Sequence, residues 1–176
     1  LNLILFKKSY TAKVIQSPNA TGNVLIKTFY TYENDRYLVT TVDDRAFRNT
    51  KIESVSFEED SHVKKIGNFA FQNSTILRLS IPNKLVEFGE DWCKEVESLT
   101  EITINANHEH FQYENGLLIN KDYNEIIFAR RDLSGGLTLP NNIKRIRSSS
   151  FYTCKKILSF NIESSALESI DSFAFC

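Results

Sequence analysis

Few side chains in this 176-residue sequence have the means to do chemistry: three histidines, three cysteines and a run of serines. Two of the histidines fall together as His108-Glu109-His110. Alternate residues of a strand share a face, so both imidazoles can meet one Zn²⁺. A zinc site takes three or four ligands, however, and the pattern supplies two, so a solvated loop is expected here rather than a metal centre. Cys93, Cys154 and Cys176 match no zinc spacing, are odd in number, and sit in or beside apolar slots. They read as free thiols, with a Cys154–Cys176 bridge left open. Ser148-Ser149-Ser150 has no histidine near it in sequence to activate a nucleophile. No glycine-rich phosphate cradle is present. No catalytic, cofactor-binding or metal residue is therefore expected, and the chain is read as a non-enzyme. A metal-dependent hydrolase around His108, Glu109 and His110 stands only as a third alternative.

The composition narrows the partners. A net charge of −1 and a pI of about 6.4 give no footprint for nucleic acid or an anionic membrane. Six Gly and three Pro against 13 Phe and seven Tyr describe a packed chain rather than a disordered one. No stretch approaches the roughly 20 apolar residues of a membrane span. Leu1 to Phe6 is apolar, but Lys7-Lys8 follows it, the reverse of a signal peptide, so a first strand is expected there. Both ends read as cuts in a longer protein.

What must position any site is a repeat. Val63, Ile66-Gly67, Ala70-Phe71, Ile76, Leu79 and Ile81-Pro82 are refilled by Leu85, Phe88-Gly89, Trp92-Cys93, Leu99, Ile102 and Ile104. Trp92-Cys93 inverts the small-large order of Ala70-Phe71 and keeps the pair's volume roughly constant. Equivalent anchors are Val42, Ile146 and Ile170; Val42, Ile66 and Phe88 lie 24 and 22 residues apart, and Ile146 and Ile170 lie 24 apart. A period this short marks a solenoid, in which each coil buries its apolar face against its neighbours. Val55-Ser56-Phe57, Leu79-Ser80-Ile81, Ile102-Thr103-Ile104 and Phe160-Asn161-Ile162 alternate as half-buried strands. The segment after Gly67 predicts a single helical turn or tight bend, and Phe47, Phe71, Trp92, Phe151 and Phe175 predict one continuous aromatic spine. The expected fold is a β-rich α/β solenoid: short parallel strands and short helical turns, interrupted by an antiparallel meander.

The interruption lies at 105–136. Phe111-Gln112-Tyr113, the turn pair Asn115-Gly116, Leu117-Leu118-Ile119, a second turn at Lys121 to Asn124, and Ile126 to Ala129 spell three strands. The expected organisation is 1–38 as N-terminal strands or cap, 39–104 as coils, 105–136 as a meander replacing one coil, and 137–176 as coils. Clean alignment of the strands on either side predicts that the meander is dispensable for folding.

These residues resemble the BspA-type leucine-rich repeats of bacterial and protist surface proteins. Ile66-Gly67-Asn68-Phe69-Ala70-Phe71 through Leu79-Ser80-Ile81-Pro82 carries the pattern, and Ile146, Phe151, Cys154, Ile157, Phe160 and Ile162 repeat it. Asn107, Phe111, Gly116 and Leu118 are similar to a segment the family often inserts. Trp92-Cys93 in place of Ala-Phe and Arg147 in place of Gly depart from it. The resemblance covers the chain from about Val39 onward. It implies a non-catalytic protein-binding module, adhering to or recognising a host, matrix or other extracellular protein, at the cell surface or secreted. An intracellular interaction scaffold is the alternative.

The expected contact surface is the outward column of the strands. Ser56, Ser80, Thr103, Thr138 and Asn161 point away from the core, flanked by Ser54, Arg78, Glu101 and Ser159, with Gly136 as a gap. Arg78 is the first choice among them, because arginine is enriched at interface hot spots. Asn19-Ala20-Thr21 and Asn73-Ser74-Thr75 are glycosylation sequons, so Asn19 and Asn73 are candidate acceptors.

Overall fold

The apolar anchors become register partners. A computed structural model describes residues 1–162 and 166–176. Its strands, in chain order, begin with β1 (Asn2–Phe6), β2 (Thr11–Ile15), β3 (Thr21–Ile26), β4 (Phe29–Tyr32), β5 (Asp35–Val42) and β6 (Lys51–Phe57). Then follow β7 (Lys65–Ile66), β8 (Arg78–Ser80), β9 (Glu87–Phe88) and β10 (Glu101–Thr103). The interrupting segment holds β11 (Phe111–Glu114), β12 (Leu117–Asn120) and β13 (Glu125–Ala129). The last are β14 (Gly135–Thr138), β15 (Arg145–Ile146), β16 (Ile157–Asn161) and β17 (Ser169–Ile170).

Each coil offers two strand positions. At the first, β2, β5, β7 and β9 pair in parallel, aligning Val14, Val42, Ile66 and Phe88. At the second, β3, β6, β8 and β10 do so, aligning Val24, Val55, Leu79 and Ile102. The segment before Val39 thus already stacks on the first repeat. β1 and β4 add to β2 and β5 as antiparallel neighbours.

Tight bends form in place of helical turns: among the described residues there is no helix, so the solenoid is β throughout and the α/β reading is corrected. The backbone shows why. Arg45 and Asn49 have φ of 58° and 59°, Phe69 and Asn73 54° and 52°, and Ser149 and Thr153 58° and 57°. A left-handed residue at every fourth position stops a right-handed helix. The amides divide instead between tight turns and the next coil. Ala46 N–H and Arg48 N–H close turns on Asp43 O and Arg45 O, both at 3.2 Å. Arg45, Phe47 and Asn49 N–H donate to Asn68, Ala70 and Gln72 carbonyls at 2.9, 2.7 and 2.9 Å.

That close stacking explains Gly67 and Gly89. A Cβ on Gly67 would lie 2.5 Å from Asp44 N, and one on Gly89 2.4 Å from Asn68 N. At the equivalent Arg147 the backbone N–H donates to Ile126 O at 3.0 Å and the side chain extends to the earlier coil of β9, where Nη1 donates to Phe88 O at 3.2 Å and Nη2 to Glu90 Oε1 at 2.6 Å.

The aromatic spine is real but divided. Phe47 stacks on Phe71 at 5.5 Å, Phe71 meets Trp92 edge-on at 6.1 Å, and Trp92 meets Phe128 at 5.7 Å. Phe151 belongs to a second apolar cluster, where it stacks on Phe175 at 5.0 Å; Phe175 itself stays 47% exposed. The expectation of one continuous core is therefore corrected to two clusters. The wall between them is the β12–β13 hairpin. Leu118, Ile127 and Phe128 face the first cluster, and Leu117, Ile119, Ile126 and Ala129 the second. Every residue of β12 is buried, as are Ile126 to Ala129, which removes the ground for treating the meander as dispensable. β13 also acts as a coil strand, because it pairs in parallel with β15 and sets Ile126 beside Ile146.

Candidate functional site

The four-stranded sheet β10-β8-β6-β3 gathers six of the nine expected contact residues on one surface. Ser54 is paired with Arg78, Arg78 with Glu101, and Ser80 with Thr103. All six are at least partly exposed. Thr138, Ser159 and Asn161 lie on a separate two-stranded sheet, β14-β16, with Gly136 paired to Ser159 and Thr138 to Asn161. The nine residues form two patches, not one ladder, because the β11–β13 segment stands between β10 and β14.

β3 adds two residues that sequence reasoning missed. Asn23 pairs with Ser54, and Leu25 with Ser56. Asn23 Oδ1 accepts from Ser54 Oγ at 2.7 Å and from Arg78 Nη2 at 3.2 Å, while Glu53 Oε2 lies 3.9 Å from the same Nη2. The arginine is thus held in place across two strands, which lowers the ordering cost of using it in a contact. Leu25, 50% exposed, gives the same surface an apolar element. The sequence hid this, because Val24-Leu25-Ile26 is a continuous apolar run in which only the burial alternates.

The candidate chemistry resolves differently. His108 is buried and lies in a turn before β11, so it shares no strand face with His110. Its Nδ1 accepts from the His110 and Phe111 amides, both at 3.2 Å. Nε2 therefore carries the proton, donated to Pro82 O at 3.2 Å. Burial holds its pKa below the ordinary imidazole value, and the bond to Pro82 works more weakly the other way. Neither nitrogen is left for a metal or a substrate. His110 turns instead to Asp122, with Nδ1 2.7 Å from Oδ2. Among the described residues no group of three or more His, Cys, Asp or Glu is arranged to hold a metal ion.

All three cysteines are free thiols. Burial pushes Cys93 up to about 11, a proton-retaining thiol rather than a nucleophile. Ser148 and Ser149 hydroxyls both donate to Asp91 Oδ1, at 2.7 and 2.9 Å, joining the second half of the chain to the first. Asn19 and Asn73 are both exposed on turns, and Asn73 Nδ2 donates to Asn49 Oδ1 at 3.0 Å.

Two-position coils stacked in register at this period are the geometry of leucine-rich repeats, and the BspA type leucine rich repeat region matches residues 6–117 and 121–176 in six copies. The chain belongs to this family. The match begins well before Val39, in keeping with the stacking of β2 and β3. A leucine-rich repeat protein from Eubacterium ventriosum superposes with a TM-score of 0.65 at 21% identity, over 87% of this chain and 44% of its own. The pneumococcal vaccine antigen PcpA gives 0.49 at 15% identity, over 93% and 60%. A leucine rich cell surface protein from Faecalibacterium prausnitzii gives 0.46 at 16%, over 96% and 74%. The first likeness is one of fold, and this BspA-type chain spans less than half of that relative's length. Among curated proteins none matches the chain. Leucine-rich repeats are, in general, protein-interaction modules, and no helix here is long and apolar enough to cross a membrane among the described residues.

Proposed function

We propose that this BspA-type chain is a non-catalytic recognition module that binds an extracellular protein, a host or matrix component, through the β10-β8-β6-β3 sheet face. The observation that carries the reading is the Asn23–Ser54–Arg78–Glu101 row, in which Arg78 is fixed by Asn23 on a rigid sheet. Arg78 supplies the oriented charge, Glu101 its complement, and Leu25 with Ser56, Ser80 and Thr103 a flat neighbouring surface. The smaller patch of Thr138, Ser159 and Asn161 is a secondary contact area. Family kinship supports a surface or secreted location, with Asn19 and Asn73 as exposed acceptor positions should the chain pass a glycosylating compartment. The test is capture of purified extracellular matrix and serum proteins by the immobilised chain. Arg78→Glu with Ser80→Arg is expected to abolish capture while leaving the melting curve in place. Undiminished capture by that variant would move the binding surface elsewhere.

A further inference from the structure

The row of second-position strands is broken between β10 and β14. β10 pairs with β8 on one side and, among the described residues, with no strand on the other. β11 is likewise the outermost strand of its own sheet. Residues of both outer strands line one cleft of about 500 Å³, among them Ile102, Thr103, Asn105, Gln112, Tyr113 and Glu114.

Backbone alternation fixes what β10 offers to this cleft. Glu101 N–H donates to Leu77 O at 3.1 Å, and Thr103 O accepts from Ile81 N–H at 2.8 Å, so these two residues are bonded toward β8. In a parallel strand the intervening residues direct their amide groups to the opposite side, which assigns Ile102 and Ile104 to the open edge. An open edge is a template for one more strand. Its charge selects which. Glu114, exposed on β11, is the charged residue among those that line the cleft, and Glu101 is exposed at the start of β10. Two copies of this acidic edge repel each other, whereas a strand bearing Lys or Arg complements it.

We propose that the cleft between β10 and β11 takes up an extended, basic segment of a partner protein, added as a strand to β10. Main-chain hydrogen bonds supply the hold, and Glu101 and Glu114 select basic side chains. The inference goes beyond the sheet-face reading, since it uses the strand edge and not Arg78.

The test uses the whole chain and a synthetic peptide, acetyl-Lys-Val-Lys-Val-Lys-amide, followed by calorimetry. Saturable binding is expected. Glu114→Lys is expected to weaken it by about tenfold or more. Ile104→Pro removes an edge donor while leaving the bonds to β8, and is expected to weaken it as well. The same peptide N-methylated at every residue keeps its charge but loses the donors along both edges, and is expected not to bind. Arg78→Glu with Ser80→Arg keeps the edge amides of Ile102 and Ile104 and is expected to retain saturable peptide binding, so failure of the sheet-face reading is seen separately. Equal binding of the methylated peptide, indifference to Glu114→Lys, or absence of saturation by the unmethylated peptide would each overturn the proposal.

Discussion

The guanidinium carbon of Arg131 stands 4.7 Å from the centre of the Phe128 ring, at the junction of the two apolar clusters. Arg131 is 5% exposed, and backbone carbonyls share its charge: Nε donates to Val96 O at 3.0 Å, Nη1 to Ser150 O at 2.9 Å and Nη2 to Ser149 O at 3.2 Å. Nη2 also lies 3.5 Å from the sulfur of Cys93, a weak acceptor. One side chain thus ties coil residues on both sides of the meander. Arg131→Ala would remove all three bonds, leaving Ser149 O and Ser150 O with only the Tyr152 and Ala129 amides at 3.2 and 2.8 Å, each bond to a charged group being worth roughly 1.5–3 kcal/mol. A loss of about 3 kcal/mol or more is expected in urea denaturation. A loss under about 1 kcal/mol would show that the junction does not depend on Arg131.

The coil columns were legible in the sequence because stacking demands one apolar type at each slot. Val42, Ile66, Phe88, Ile146 and Ile170 follow from spacing alone. The junction was not legible. Arg131 sits in a connection whose burial depends on which coils happen to surround it, and Ile126 is read as a meander residue but not as a coil anchor, because β13 is both a meander strand and a coil strand. His108 was legible as a residue but not as a role, since its partners include Pro82 in the preceding coil. The split of the expected contact ladder had the same source: strand alternation sets which residues face outward, not which strands share a sheet. Spacing left the turn open between a helical turn and a tight bend, because short Asn-, Ser- and Asp-rich bends satisfy their amides between coils and carry no signal of that in local spacing.

The glycine that follows the anchor residue is explained by a contact that can be tested directly. Gly67→Ala brings a Cβ to 2.5 Å from Asp44 N and 2.7 Å from Asp43 C, so backbone must move. Gly136→Ala meets only the Ser159 hydroxyl at 3.2 Å. Thermal melts are expected to show a large loss for the first, about 2 kcal/mol or more, and a change within about 1 kcal/mol for the second. Equal effects would mean that coil spacing relaxes freely around Gly67.

Phe71 is the midpoint of the first aromatic column, stacked on Phe47 and edge-on to Trp92. Phe71→Ala is expected to cost about 3–5 kcal/mol, read from the denaturation midpoint. A loss below about 1 kcal/mol would exclude it from the column.

Replacing Phe111 to Ala129 by a Gly-Ser linker would strip both clusters of the wall they share. The expected outcome is a chain without a cooperative transition, followed by circular dichroism and calorimetry. A cooperative melt with native-like strand content would restore the view that the meander is dispensable.

The last prediction concerns acid. His108 is held neutral in the fold, with Nδ1 receiving two backbone amides, so protonation there would set a third N–H against two donors. Its folded-state pKa is lowered, first by burial, with the charges of His110 and Lys121 adding to it. In the unfolded chain the imidazole takes its proton near the ordinary value of about 6.5. Between that value and the lower folded one, the unfolded state binds more protons, so stability rises with pH across the window. The contribution of neutral His108 is thus complete above about pH 6.5 and is lost as the pH falls below it. His108→Asn keeps a side-chain acceptor for the backbone amides of the turn and does not titrate. The stability advantage of the parent chain over this variant is expected to shrink between about pH 7.5 and pH 5.5, measured by urea denaturation at each pH. A constant difference would show that His108 takes up as much proton in the fold as out of it, and that the bond to Pro82 offsets its burial.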